Sequence, residues 1–166
     1  IARDKGVNMQ KKILMNGVVG ISLGLLTTLT IASTPEGYWK SIDDRTGEQL
    51  SIVEVKKKTD GTYTGTIVYR YPVPGGGTLL TNCVKCPEPF KNKPILGLQI
   101  AWGLKQDPQN PNQYIDGRVL EPKTGNIYKG KAQLSADGKR MRMRGYMGIS
   151  ALGRTQVWIR TDSPNP

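Results

Sequence analysis

From residue 33 onward, apolar and polar side chains alternate in short runs, and Gly, Pro, Asn and Asp interrupt them at intervals of about ten residues. This is the rhythm of half-buried β-strands joined by tight turns. It predicts strands over 37–42, over 50–57 with Val53 and Val55 on one face, and then a third on which Tyr63, Gly65, Ile67 and Tyr69 share a face. Asp60-Gly61 between the second and third supplies the positive φ that a hairpin turn requires. Later strands are expected over 113–120, 126–134 (Tyr128, Gly130, Ala132 and Leu134 on one face), 139–147 and 155–161. The run 95–105 is apolar enough for helix or strand, and Gly97 and Gly103 tip it to strand. Residues 72–94 break the rhythm with repeated proline, Gly75-Gly76-Gly77 and both cysteines. Proline cannot donate to a ladder, so this stretch reads as a long excursion. Eight strands in hairpin succession predict an all-β fold, an eight-stranded antiparallel up-and-down barrel, with a sandwich as the alternative.

The first 32 residues follow another pattern. Residues 13–32 are mostly apolar, Lys11 and Lys12 precede them, and Thr30-Ile31-Ala32-Ser33 offers a small-residue cleavage site. Met9 reads as an initiator, with the eight residues before it outside the fold. The chain is thus expected to divide into an export segment, 1–32, and one barrel domain, 33–166. The product would be periplasmic or secreted after cleavage; the alternative is an uncleaved N-terminal anchor. Four cations and one acid lie in 1–32, so the remaining 134 residues carry twenty Lys and Arg against twelve Asp and Glu, a formal +8.

That charge raises the question of nucleic acid, but no nucleic-acid-binding motif is present, and an exported protein more often meets anionic envelope surfaces. The 166 residues contain no histidine, which excludes Ser-His-Asp and Cys-His nucleophiles and any imidazole metal site. Two cysteines cannot complete a structural zinc site, and no cofactor is expected. The glycine triplet lacks the Lys-Ser/Thr of a P-loop. Most carboxylates occupy turn positions, leaving Glu54 as the one strand-borne acid, expected to face solvent. An enzyme is not expected.

Taken in order, several short pieces resemble a bacterial family of exported proteins known as domain of unknown function 2147. They are Gly37-Tyr38-Trp39-Lys40, Asp43 to Gly47, Cys83-Val84-Lys85-Cys86, Pro94 to Leu98, Trp102-Gly103-Leu104, Asp116-Gly117, Pro122-Lys123-Thr124-Gly125, Tyr128, Asp137-Gly138, Arg144-Gly145-Tyr146 and Leu152 to Trp158. The resemblance implies a lipocalin-like barrel of the calycin type. In such barrels the first-strand Trp, here Trp39, plugs the closed end and a late Arg packs across it; Arg160 fits that role, with Arg154 second.

Three constellations carry functional expectations. Cys83 and Cys86 read as a small structural disulfide clipping the excursion, with a thiol-redox site as the rival. Arg140, Arg142 and Arg144 alternate with Met141 and Met143. Either the methionines face inward beneath a solvated arginine face, or the arginines enter the barrel as an anion clamp. Trp102, Trp158 and Tyr69 could line a pocket or simply pack. The leading expectation is an exported barrel that binds a small amphipathic or anionic ligand, oriented by Arg142, Arg144, Tyr146, Arg154 or Gln156. The alternatives are an envelope protein-interaction module with a filled barrel, and a thiol-redox accessory protein.

Overall fold

Eight strands follow one another in chain order: β1 (Gly37–Ile42), β2 (Gln49–Lys57), β3 (Tyr63–Arg70), β4 (Gln99–Asp107), β5 (Asn110–Glu121), β6 (Asn126–Leu134), β7 (Arg140–Tyr146) and β8 (Arg154–Thr161). This computed structural model describes residues 33–166; the expected export segment lies outside them. Each strand pairs antiparallel with the next, and β8 returns to β1 with Trp39 opposite Arg160 and Ser41 opposite Trp158. The return closes the barrel and leaves no sheet edge. All eight strands and their closure fall within one compact unit, Ala32–Pro166, which therefore carries what it needs to fold alone.

The turns form for local reasons. Asp60 accepts the amide of Thr62 at 2.9 Å, Asp137 accepts that of Lys139 at 3.0 Å, and Gly61 (φ 82°) and Gly138 (φ 67°) supply the left-handed residue at each. Antiparallel succession puts residues 33–36 and the β2–β3, β4–β5 and β6–β7 turns at one end, the base. The β1–β2, β5–β6 and β7–β8 connections and the long excursion between β3 and β4 share the other end, the mouth.

Two expectations change. Residues 95–98 belong to the excursion, and β4 begins at Gln99. Pro94 lacks an amide hydrogen, Gly97 sits at φ 85°, and Leu98 turns back to the carbonyl of Ile95. The row of Tyr63, Gly65 and Ile67 also does not extend to Tyr69. A register shift at Ile52/Val53 pairs Val53 with Ile67 but Ile52 with Tyr69, so Tyr69 leaves the inner row.

Inward-facing residues of all the strands meet in one core that includes Val55, Tyr63, Ala101, Leu104, Tyr114, Met141, Met143 and Trp158. A second apolar layer lies on the opposite face of β4, β5 and β6, where Ile100, Trp102, Leu120 and Ile127 carry the alternate phase. The excursion folds back over it. Phe90 stacks on Trp102 with ring centroids 5.3 Å apart, and buried Cys83, Cys86, Ile95 and Leu98 join the same cluster. That layer explains why so proline-rich a segment is ordered: it covers apolar strand surface.

Candidate functional site

At the base, Trp39 is fully buried and its indole N–H donates to the carbonyl of Pro35 at 2.8 Å. The Arg160 guanidinium lies 4.2 Å from the Trp39 ring centre, a cation–π contact. It donates to the carbonyls of Gly138 (2.6 Å), Glu36 (2.7 Å) and Thr34 (2.6 Å). Burial pulls its pKa below the ordinary arginine value without discharging it. A Cβ on Gly37 would approach the guanidinium to 3.0 Å from a backbone at φ 118°, so the Gly-x-Trp pair is a geometric need. Arg154, the second choice for this role, lies at the opposite end.

Inside, the base half of the barrel is packed full. The space bounded by Val55, Tyr63, Leu104, Tyr114, Met143 and Trp158 amounts to about 10 Å³, at the lower limit for a single water. Tyr63 and Tyr114 meet edge to face at 5.2 Å. Burial, then the neighbouring Tyr63 and Glu36, pushes the Tyr114 phenol up to about 12, so it is un-ionised at neutral pH.

The five residues expected to orient a ligand do not converge. Met141 pairs with Trp158 and Met143 with Gln156 on the inner face, so Arg140, Arg142 and Arg144 lie on the outer one. That register corrects the anion-clamp expectation: Arg142 is exposed outside, and Tyr146 lies outside beneath the ammonium of Lys131, 6.0 Å from its ring centre. Arg144 is also outside and is fully employed. Its Nε (2.8 Å) and Nη2 (2.6 Å) donate to the carbonyl of Ser150, Nη2 reaches that of Ala151 (3.0 Å), and Nη1 bonds the Thr155 hydroxyl (2.8 Å). Only Arg154 and Gln156 share the inner phase of Trp158. Gln156 accepts from the Trp158 indole at 3.4 Å. Arg154 sits on the rim, paired with Asp44 and 3.8 Å from Glu121, which also accepts from Tyr128 and Thr124. The hydrogen bond it donates to Asp44 leads in raising its pKa.

The remaining candidates are also placed. Cys83 and Cys86 form a disulfide with Cα atoms 5.4 Å apart, and at 0% and 3% exposure they present no sulfur to a partner. Glu54 is half-buried on the outer phase and pairs with Lys56 at 2.8 Å. Of the three aromatics, Trp158 lines the interior, Trp102 lies under Phe90, and Tyr69 packs edge to face on Tyr71 at 5.1 Å.

With fold and geometry described, likeness to known proteins becomes informative. Residues 37–160 match a family described as "Uncharacterized protein conserved in bacteria (DUF2147)". The chain belongs to that family. Among solved structures it is similar to one titled "Protein HP1028 from the human pathogen Helicobacter pylori belongs to the lipocalin family". The TM-score is 0.63 at 16% identity, over 77% of this chain and 83% of that one. This likeness concerns the fold. No curated protein matches the chain.

Sequence reasoning missed one feature of this DUF2147 barrel. The β7–β8 connection exposes Met147 (64%), Ile149 (63%) and Leu152 (80%) while Arg144 holds its carbonyls. Four apolar residues within 147–152 were a visible signal, but they read as a simple connection because alternation says nothing about loops.

Proposed function

We propose that this protein is an exported module that works by docking through its outer surface, neither enclosing a ligand nor catalysing a reaction. The observation that carries the reading is the packed base half of the interior: about 10 Å³ there cannot admit an amphipathic molecule, whereas ligand pockets commonly run to several hundred Å³. Large apolar side chains exposed around the mouth, Val84, Leu96, Met147, Ile149 and Leu152, point the same way. Export is supported by the lysine-preceded apolar run at 13–32 and by a disulfide that an oxidising compartment would maintain. A redox role finds no exposed sulfur, and Glu54, the candidate acid, is engaged by Lys56.

Native mass spectrometry of purified 33–166, together with titration of an environment-sensitive apolar fluorophore, tests the reading. The expected mass is that of the polypeptide alone, and a saturable internal site is expected only after Leu104→Ala opens the core. A co-purified small molecule, or stoichiometric dye uptake by the unaltered barrel, overturns it.

A further inference from the structure

We infer that the docking partner is an anionic lipid surface, bound by the outer face of β6–β8 with the β7–β8 loop inserted between headgroups. This names the partner of the surface proposed above and rests on that reading.

Strand register assembles the face. Lys129 stands opposite Tyr146, Lys131 opposite Arg144, Gln133 opposite Arg142, and Arg140 opposite Ile159, all on the phase away from Met141 and Met143. Lys129, Arg140 and Arg142 are exposed, and among the described residues none of the cations on this face is ion-paired. The neighbouring acid is Asp137, in the base turn beside Lys139 and Arg140, at the far end from the loop. Val157 (38%) and Ile159 (44%) are exposed apolar members of the same face on β8.

At the mouth edge of this face stands the loop bearing Met147, Ile149 and Leu152. Its backbone is held by three hydrogen bonds from Arg144 to the carbonyls of Ser150 and Ala151, so its apolar tips are displayed by a braced support. An exposed apolar tip beside an unpaired basic face is the pairing that favours an anionic bilayer: cations meet headgroups while the apolar side chains enter the acyl boundary. Nucleic acid would satisfy the cations but leave Met147, Ile149 and Leu152 in water. Tyr146, between loop and lysines, suits the interface between headgroup and hydrocarbon.

Sedimentation of 33–166 with vesicles of phosphatidylglycerol and phosphatidylethanolamine, against vesicles of phosphatidylcholine alone, tests the inference; leaving out 1–32 removes their apolar run from the assay. Binding is expected to the anionic vesicles alone and to weaken with salt. Lys129→Gln with Arg142→Gln should lower affinity by about twentyfold, near fivefold per charge. Leu152→Ser with Met147→Ser should lower it by about a hundredfold while leaving the fold intact by circular dichroism. A Leu152→Trp reporter should shift to shorter wavelength on anionic vesicles. Equal binding to both vesicles, unchanged affinity in both variants, or tighter binding to a DNA duplex than to vesicles overturns the lipid assignment. Such a result leaves the surface-docking reading standing if native mass spectrometry still finds no co-purified small molecule, so the two ideas fail separately.

Discussion

The two ends of the barrel are built by different physics. The base is sealed by side chains that belong to the strands: Trp39 fills it, and Arg160 ties Thr34, Glu36 and Gly138 across it through carbonyl oxygens. The mouth end carries an added segment, the excursion, which packs on the outer faces of β4 and β5 and is held at a few points. Lys85 lies against Gly125, the Cys83 sulfur is 3.7 Å from the Pro122 carbonyl, and Arg70 donates to Leu80. The barrel therefore cannot lose its base without losing its fold, whereas its mouth can be altered with the strands intact. Surface novelty in such a design belongs at the mouth, where the most exposed apolar residues, Leu152, Met147 and Ile149, are found.

The comparison breaks hardest at the base. Trp39→Ala removes the largest fully buried side chain there and should cost about 3–5 kcal/mol in urea unfolding, enough to unfold a marginal domain. Arg160→Met keeps an apolar stem but leaves three carbonyls without their shared donor, two of them close enough to solvent for water to substitute; about 2 kcal/mol is expected. If either change merely loosened the mouth, the division between the ends would be wrong.

At the mouth the expected response is local. Gly125 sits at φ 79°, and a Cβ there would overlap the carbonyl of Lys85, which no rotamer change can relieve. Gly125→Ala should therefore lift the excursion, at a cost of about 1–3 kcal/mol. The readout is rapid protease cleavage within 71–98 while the far-ultraviolet spectrum stays that of a barrel. Cys83→Ala with Cys86→Ala acts on the same segment more gently. A cross-link spanning three positions closes a very short loop, so about 2 kcal/mol is the most its removal should cost, again seen as cleavage before global unfolding.

How much of this was legible beforehand follows from where alternation applies. Strand order, closure and the inward methionines of β7 could be anticipated, because each follows from period-two phase and hairpin succession, whereas the Trp39–Arg160 pairing was implied by the family resemblance. Tyr69 could not: one register shift between Ile52 and Val53 moves it out of the inner row, and a shift leaves no mark on local composition. Ile95 and Leu98 looked like strand because a loop that covers an apolar sheet face must itself be apolar. The candidate site was legible least of all. Whether eight inner rows leave a hollow depends on summed side-chain volumes across the barrel, and Tyr63, Tyr114 and Leu104 happen to fill its base half. Likewise, Arg144 resembled a ligand clamp until register turned it outward onto Ser150 and Ala151.

The smallest expected effect is one the two ends share, and it sharpens the contrast by marking its limit. Asp43 at the mouth accepts the amides of Arg45 (2.8 Å) and Thr46 (2.9 Å), and those two hydrogen bonds, Thr46 first, hold its carboxyl below the usual carboxylate range. Asp60 and Asp137 at the base do the same with Thr62, and with Ser135 and Lys139. A carboxyl whose pKa is lower folded than unfolded contributes stability above its ordinary value of 3.8, and that contribution is lost as pH falls through the folded value. Asp43→Asn keeps the accepting oxygen and removes only the charge. At neutral pH it should cost about 0.5 kcal/mol, given how far solvent screens this turn. The difference between the variant and the parent in urea midpoint should shrink below pH 4 and vanish once Asp43 is protonated. A gap that persisted unchanged at pH 2 would mean that the oxygen geometry, and not the charge, sustains the β1–β2 turn.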